Sequence, residues 1–146
     1  MYLLKVFFVT SMHLFAFLSV AQENIDWRIT FDANNSTIYW DATLDEGWYI
    51  YSQFLDEASG PIPTEFDFKE NDKITHIGKV HEPEVDPAFD PSFGSNLKYH
   101  KNTVQFSCNV SFSTPTTLEG TILYMLCNEK SCLPPSLKKF NVELKN

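Results

Sequence analysis

Apolar and polar side chains alternate with a period of two along most of the chain after residue 26. The alternation is clearest at 27–31 and 38–44, on either side of an Asn34-Asn35-Ser36 turn. Other short runs rich in aromatic and β-branched residues, bounded by Gly, Pro, Asn or Asp, cover 47–51, 63–68, 74–81, 98–112, 117–126 and 137–144. Several short strands at this spacing are typical of a β-sandwich, and no segment has convincing helical spacing. The pattern therefore predicts an all-β, antiparallel sandwich.

Segment 82–96 interrupts this alternation. It reads EPEVDPAFDPSFGSN, which is rich in proline and carries three acidic residues ahead of Asp90. Irregular loops of this length are uncommon inside compact domains and are often functional. Phe89 and Phe93 have no strand pattern that would bury their rings. Two interpretations stay open: the loop folds its aromatic rings onto the edge of the sandwich, or it is a flap that covers a reactive group.

The first 21 residues differ in character from the rest. Lys5 precedes an apolar run that ends near Leu18, and Ser19-Val20-Ala21 follows as a small-residue cleavage site, which is typical of a secretory signal peptide. The alternative is a membrane anchor, but polar residues within 10–13 interrupt a run that is already shorter than a bilayer span requires. We therefore expect a signal peptide at 1–21 and a single exported domain at 22–146, with no membrane span after cleavage.

The composition is acidic. The full chain has 11 Lys and Arg against 19 Asp and Glu, and removal of 1–21 takes one lysine, so the mature charge is 10 − 19 = −9. This balance, with no basic patch, argues against nucleic acid as a partner. An exported domain meets an oxidising environment, in which paired cysteines normally form a disulfide. We expect a periplasmic or secreted location.

Two of the 3 cysteines, Cys127 and Cys132, lie close together between an apolar run at 121–126 and a double proline at 134–135. A disulfide between them is possible if the chain turns back on itself. A ring this short removes little entropy from the unfolded chain, so the bridge is a weak staple and a better candidate for thiol–disulfide exchange. The alternative is a structural clip on a hairpin, and the spacing alone does not decide between the two.

Three segments together resemble a known family. They are the tail LYMLCNEKSCLPPSLKKFNVEL, the upstream segment EGWYIYSQF and the intervening segment FGSNLKYHKNTVQF. They resemble the periplasmic N-terminal domain of the thiol:disulfide interchange protein DsbD, over roughly 27–144. The resemblance implies an immunoglobulin-like sandwich with a cap loop over its cysteine pair. It also implies that electrons come from a thioredoxin-like domain and pass to thioredoxin-like periplasmic proteins.

The resemblance assigns roles to individual residues. Cys132 matches the catalytic cysteine that forms a mixed disulfide with a partner, and Cys127 matches the cysteine that resolves it. Tyr49 and Tyr51 match tyrosines beside the active site. From the residues alone, Lys130 between the cysteines favours a thiolate whereas the neighbouring glutamate opposes it.

The resemblance also places a cap over the cysteine pair, at 86–95, with Phe89 or Phe93 as the shielding ring. The family's cap carries two adjacent acidic residues that assist proton movement. Asp90 is the best match for the catalytic acid, but Pro91 stands where the second carboxylate is expected. The assignment of acid–base chemistry to Asp90 is therefore a hypothesis.

The remaining reactive side chains point to no further chemistry. Cys108 shares the parity of an apolar strand face, so we expect a small buried hydrophobic residue. His81 and His100 flank the loop and are expected to be solvated, and no spacing matches a metal site. Two functions remain: a monomeric oxidoreductase domain, without a cofactor, that relays electrons between separate thioredoxin-like donors and acceptors; or a non-redox immunoglobulin-like binding domain that has a structural disulfide.

Overall fold

A computed structural model describes residues 24–55, 58 and 60–146, so the expected signal peptide at 1–21 lies outside the described residues. The strands are β1 Ile25–Asp32, β2 Thr37–Leu44, β3 Tyr49–Tyr51, β4 Glu65–Phe68, β5 Ile74–Ile77, β6 Ala88–Asp90, β7 Ser95–Leu97, β8 Tyr99–Lys101, β9 Thr103–Phe112, β10 Thr116–Tyr124, β11 Leu126–Cys127 and β12 Ser136–Leu144. No α-helix occurs within these ranges. Accordingly, the described part of the chain holds no helix of the length and apolar character that crossing a bilayer requires.

The first sheet has the order β1-β2-β9-β5, with every pair antiparallel. β1 and β2 form the predicted hairpin, whose turn ends at Ser36 with a positive φ of 52°. The predicted strand at 98–112 is divided into β8 and β9, because Asn102 also adopts a positive φ of 61°. Asparagine tolerates this left-handed conformation better than most residues, which explains the break.

The second sheet has the order β12-β10-β4, and its buried side chains share one core with those of the first. Trp40 of β2 is central to the contact, since its ring centroid lies 5.1 Å from that of Phe66 and 5.6 Å from that of Phe140. Gly120 of β10 lets the strands approach closely, because a Cβ atom there would lie 2.4 Å from the carbonyl oxygen of Asp67. The all-β, antiparallel, immunoglobulin-like sandwich is therefore confirmed.

One end of the sandwich carries a small third sheet of order β11-β3-β8 and a separate hairpin of β6 and β7. We call this hairpin, residues 88–97, the cap hairpin. Gly94 closes its turn with a positive φ of 64° and donates its backbone N–H to the carbonyl of Asp90 over 2.7 Å. The expectation of an irregular segment is thus correct for 82–87 but wrong for the cap hairpin. Strands of three residues are too short to display an alternation.

Candidate functional site

Cys127 and Cys132 form a disulfide with an S–S distance of 2.02 Å and a Cα–Cα distance of 4.0 Å. The two cysteines face each other as an antiparallel bridge. Flanking hydrogen bonds run from Asn128 N to Ser131 O, over 2.9 Å, and from Leu133 N to Leu126 O, over 2.8 Å. Pairs of residues between such bonds have the closest Cα atoms in antiparallel structure. The backbone hairpin therefore brings the sulfurs within bonding distance.

The four residues between the cysteines form a tight turn organised by Asn128. Its side-chain oxygen accepts the backbone N–H groups of Lys130, over 2.9 Å, and Ser131, over 2.8 Å. Asparagine commonly stabilises turns in this way. The hydroxyl of Tyr49 donates to the backbone carbonyl of Asn128 over 3.4 Å, which ties the turn to β3. Lys130 and Glu129 are both exposed on this turn.

The two sulfur-bearing residues differ in accessibility. Cys127 is 0% exposed and belongs to a buried cluster with Tyr49, Tyr51 and Leu97. Cys132 is only partly buried and packs against the outside of the same cluster. The two prolines that follow it are exposed and have no backbone N–H to donate. A sulfur nucleophile can therefore approach Cys132 more readily than Cys127.

Tyr51 lies between the disulfide and the cap hairpin. Its hydroxyl oxygen is 2.6 Å from Oδ2 of Asp90 and 3.2 Å from Sγ of Cys127. A phenol has a single proton, so it donates to one of these acceptors at a time. Asp90 is fully buried, and its other carboxylate oxygen accepts the backbone N–H of Ser92 over 2.8 Å. The predicted catalytic residues Cys127 and Asp90 are thus linked through one hydroxyl.

Both tyrosines of β3 hold their protons unusually firmly. Burial, followed by the charge of Asp90, raises the pKa of Tyr49 to about 12. Burial and the hydrogen bond to Asp90 raise the pKa of Tyr51 further still. Desolvation and a nearby negative charge both disfavour a phenolate. The two hydroxyls therefore remain proton donors at any physiological pH.

The cap hairpin rests on the disulfide end of the sandwich through Phe93. The ring of Phe93 meets that of Tyr51 edge to face, at a centroid distance of 6.0 Å, and joins the cluster that contains both cysteines. A Cβ atom at Gly60 would come within 2.8 Å of the Phe93 ring, so the backbone closely approaches its other side. Phe89, by contrast, is 63% exposed. Of the two predicted shielding rings, Phe93 is the one that packs inward.

Phe89 borders a groove on the outer side of the site. The groove has a volume of about 340 Å³ and is lined by Tyr49, Phe89, Pro91, Tyr99, Lys101 and Glu129. Tyr99 donates its hydroxyl to the carbonyl of Phe89 over 3.3 Å, which fixes β6 above β8. The ammonium of Lys101 lies 5.4 Å from the centroid of the Tyr99 ring, within the range of a cation–π contact.

Glu82 and His100 form a buried pair that the sequence analysis missed. His100 is only 7% exposed, so the expectation that it is solvated was wrong. Its Nε2 lies 3.3 Å from Oε1 of Glu82, whose side chain is 3% exposed. The sequence offered one signal, since His100 has the parity of the inward-facing residues Val104 and Phe106. His81 is exposed, as expected.

Cys108 lies in the core of the sandwich, away from the other two cysteines. It is a buried free thiol, as expected, and its sulfur is 3.1 Å from the carbonyl oxygen of Gly78. Burial raises the pKa of this thiol, which keeps it protonated and unreactive. Within residues 24–55, 58 and 60–146, no group of three His, Cys, Asp or Glu side chains is placed to hold a metal ion.

Comparison with known proteins identifies a family and several solved structures that are similar to this chain. The family described as thiol:disulfide interchange protein DsbD, N-terminal, matches residues 17–144. No curated protein matches the chain. The DsbD N-terminal domain of Neisseria meningitidis in its reduced form is similar, with a TM-score of 0.61 and 14% identity over 84% of this chain and 87% of that one.

Two further structures share the fold, with similar TM-scores and sequence identities. The complex between the DsbD and PilB N-terminal domains of Neisseria meningitidis gives a TM-score of 0.56 and 13% identity, over 86% of this chain and 88% of that one. The N-terminal periplasmic domain of ScsB from Proteus mirabilis gives a TM-score of 0.56 and 15% identity, over 82% of this chain and 44% of that one. The family match spans most of the sequence, and the fold and the cysteine hairpin agree with it. The chain therefore belongs to the family of N-terminal domains of the thiol:disulfide interchange protein DsbD.

Proposed function

We propose that this domain passes reducing equivalents between thioredoxin-like proteins of the periplasm, through reversible opening of the Cys127–Cys132 disulfide. The observation that carries the proposal is the asymmetry of the pair: Cys132 is partly accessible, whereas Cys127 is buried against Tyr51. A pair that only pinned a hairpin would need neither an accessible sulfur nor a buried hydroxyl aimed at the other one. Family membership supports the same chemistry.

Reduction of the domain proceeds in two exchanges. A thiolate of the donor attacks Sγ of Cys132, the bond to Cys127 breaks, and Cys127 leaves as a thiolate that takes up a proton. The second donor thiolate then attacks the donor sulfur of the mixed disulfide, and Cys132 leaves. Two electrons and two protons have then moved from the donor dithiol to the domain, and the donor is left as a disulfide.

Delivery to an acceptor reverses these roles. The thiolate of Cys132 attacks the acceptor disulfide and forms a mixed disulfide, which releases one acceptor thiolate. Cys127 then attacks Sγ of Cys132, which restores the internal disulfide and releases the second acceptor thiolate. The hairpin backbone that holds the two Cα atoms 4.0 Å apart keeps Cys127 within reach of this attack.

Asp90 and Tyr51 transfer the proton that Cys127 takes up in these steps. In the oxidised domain the Tyr51 hydroxyl is closer to Asp90, at 2.6 Å, than to Cys127, at 3.2 Å. When Cys127 leaves as a thiolate, the same hydroxyl donates to the new charge. The donor's second thiol, which must ionise before it attacks, gives up its proton to Asp90, and Tyr51 passes a proton on to Cys127, so that Asp90 and Tyr51 end in the protonation states in which they began. A hydrogen bond to a charged acceptor is stronger than one to a neutral sulfur.

Replacement of Asp90 by Asn tests this role. The amide keeps the size of the side chain but cannot take up a proton, so we expect exchange with a protein partner to lose part of its pH dependence. The measurement is the rate of exchange against pH for both proteins. Identical pH profiles would contradict a role for Asp90 in proton transfer.

The cap hairpin restricts access to the sulfurs, with Phe93 as its inward ring and Phe89 exposed toward solvent. We propose that a docking partner displaces it, so that exchange occurs with partners rather than with small thiols. In Neisseria meningitidis a DsbD N-terminal domain forms a complex with the PilB N-terminal domain. This complex supports a protein as the partner of the present domain.

The reduction potential of the Cys127–Cys132 pair decides between this function and a non-redox binding domain. Structural disulfides of exported proteins generally lie below about −300 mV, and relay disulfides lie higher. We expect the pair to equilibrate with a glutathione or dithiothreitol buffer at a potential above about −300 mV. Cys108→Ser, remote from the site, is the matched control and should leave the value unchanged. A lower potential would assign the disulfide a structural role.

A further inference from the structure

The chain enters the cap hairpin through segment 82–87, which has no regular structure. Just before it, His81 pairs with Ser107 of β9 through two backbone hydrogen bonds of 2.8 and 2.9 Å. From residue 83 to residue 87, no hydrogen bond to another described residue holds the segment. The side chain of Glu82 is therefore the last hydrogen-bonded anchor among the described residues before the cap hairpin begins at residue 88.

Glu82 is held by donors from the two residues that follow β3. Oε1 accepts the hydroxyl of Ser52, and Oε2 accepts the backbone N–H of Gln53 over 2.9 Å. The side-chain amide of Gln53 adds a longer bond of 3.3 Å to Oε2. Nε2 of His100, on β8, lies 3.3 Å from Oε1 without a hydrogen bond to it. Ser52 is fully buried, and together these residues form a pocket suited to a carboxylate.

The position of this pocket links it to the disulfide. Ser52 directly follows Tyr51, whose hydroxyl contacts Cys127 and Asp90. The backbone N–H of Ser52 also donates to the carbonyl of Lys98, over 3.0 Å, where the chain leaves the cap hairpin. Both ends of the cap hairpin are therefore held at the end of β3. The backbone bond from Ser52 to Lys98 holds the end that leaves the hairpin, and Glu82 holds the end that enters it.

We propose that Glu82 is a positioning residue for thiol–disulfide exchange: its buried carboxylate fastens the entering end of the cap hairpin and so keeps the disulfide shielded until a partner docks. This inference rests on the proposed function, in which the cap hairpin controls access to the sulfurs. Glu82 does not touch the reacting atoms and acts only through the cap.

The charge of the carboxylate is essential to this anchor. Burial alone would raise the pKa of Glu82, but the His100 ring, the Gln53 N–H and the Ser52 hydroxyl outweigh it, and the pKa lies below its usual value. The anchor is therefore complete at neutral pH and is lost as the pH falls through that lowered pKa. His100 is the titratable side chain in contact with it among the described residues.

Reduction of the oxidised domain by a water-soluble phosphine tests the proposal, because a phosphine needs no thiolate and no docking. Glu82→Gln removes the charge and keeps the size, and we expect reduction at neutral pH to become roughly five to ten times faster. Glu84→Gln makes the same change at an exposed position two residues away and should match the wild type. Equal rates for the two variants would overturn the proposal.

The pH dependence separates an anchor from a merely structural side chain. The ratio of the Glu82→Gln rate to the wild-type rate should fall toward one at acid pH, where the wild-type carboxylate is protonated as well. A ratio that does not vary with pH would contradict the proposal.

If Glu82→Gln unfolds the domain, Ser52→Ala removes one donor from the pocket and should raise the reduction rate in the same direction, by a smaller factor. No change in a folded Ser52→Ala protein would then count against the anchor. The phosphine assay uses no partner, so a failure of electron relay leaves this result intact. Conversely, if the domain exchanges with partners but the phosphine reduces Glu82→Gln at the wild-type rate, the anchor is rejected and the proposed function is not.

Discussion

At the residue scale, the candidate site contains a phenol, that of Tyr51, which has two acceptors. Tyr51 lies in a three-residue strand whose side chains are all buried, so water cannot substitute for its partners. The raised pKa of Tyr51 keeps the proton on the phenol oxygen while the hydroxyl donates a hydrogen bond to Asp90. In the proposed relay, this hydroxyl donates to Cys127 when that sulfur becomes charged.

The first prediction concerns the order of attack on the two cysteines. Cys127→Ser leaves the accessible Cys132 free to attack a partner but removes the thiol that would resolve the product. We therefore expect a stable mixed disulfide with a thioredoxin-like partner, visible on a non-reducing gel. Cys132→Ser leaves only the buried thiol and should trap little. If both variants trap the partner equally, or neither does, the assigned roles are wrong.

The second prediction concerns alkaline pH. The pKa of Tyr49 is about 12 in the folded domain against 10.0 for an ordinary tyrosine, so the folded state retains a proton that the unfolded chain has lost in this range. The free energy of unfolding should therefore fall as the pH rises from 10 toward 12, and Tyr51 acts in the same direction. Tyr49→Phe should make this decrease smaller.

Urea unfolding at several alkaline pH values measures this effect. Lysines also titrate in this range, so the informative quantity is the difference between the wild type and Tyr49→Phe at each pH. Tyr39→Phe, on β2, provides a matched control in which the decrease should persist. A difference between wild type and Tyr49→Phe that stays constant with pH would show that Tyr49 ionises equally in both states.

At the element scale, strands that cover one face of the core were predictable and the short strands around the site were not. β9 alternates between buried and exposed residues over most of its length, which is the signal that sequence reasoning uses. β3 is buried at all three positions, so only its aromatic and β-branched composition marked it. β6 and β7 are stabilised by packing onto the site, and the local sequence pattern does not predict that contact.

The candidate site shows the same limit. The cysteine pair was predicted as the site from its spacing and from the family resemblance, and Asp90 was predicted from the resemblance. The link between Asp90 and Tyr51 was not, because it joins residues 39 positions apart. Glu82 and His100 were missed for a related reason: a glutamate beside a proline normally indicates a solvated loop, and only the folded chain brings its donors together.

The third prediction separates the two rings of the cap hairpin. Burial of a phenylalanine contributes on the order of 1.5–3 kcal/mol, and Phe93 is only partly buried, so Phe93→Ala should weaken closure by roughly 1 kcal/mol. This corresponds to a severalfold faster reduction of the disulfide by a small thiol. Phe89→Ala removes a ring that is 63% exposed and should leave the rate nearly unchanged.

Near-ultraviolet circular dichroism would establish that both variants keep the sandwich. The double variant Phe89→Ala with Phe93→Ala should then behave like Phe93→Ala alone. Should Phe89→Ala accelerate reduction as much as Phe93→Ala does, the shielding would have to come from the hairpin as a whole rather than from the inward ring.

At the scale of the whole molecule, stability and chemistry depend on different clusters of side chains. The large core lies between the two main sheets and contains Trp40, Phe106, Leu118 and Ile122, none of them exposed. The cluster around Tyr49, Tyr51 and Cys127 is separate and smaller. We therefore expect the domain to open its disulfide and move its cap without disturbing the packing that keeps it folded.

The last prediction tests this separation. The disulfide closes a ring of few residues, so removing it with Cys127→Ser and Cys132→Ser together should reduce the free energy of unfolding by only roughly 2 kcal/mol. Ile122→Ala leaves a cavity in the main core and should reduce it by about 2–5 kcal/mol. Urea unfolding of the double serine variant should therefore still give one cooperative transition, with the native content of β-structure. Because exchange requires a domain that stays folded while Cys127 and Cys132 are reduced, unfolding of the double variant at room temperature would make the disulfide a structural requirement and would contradict the electron-relay function.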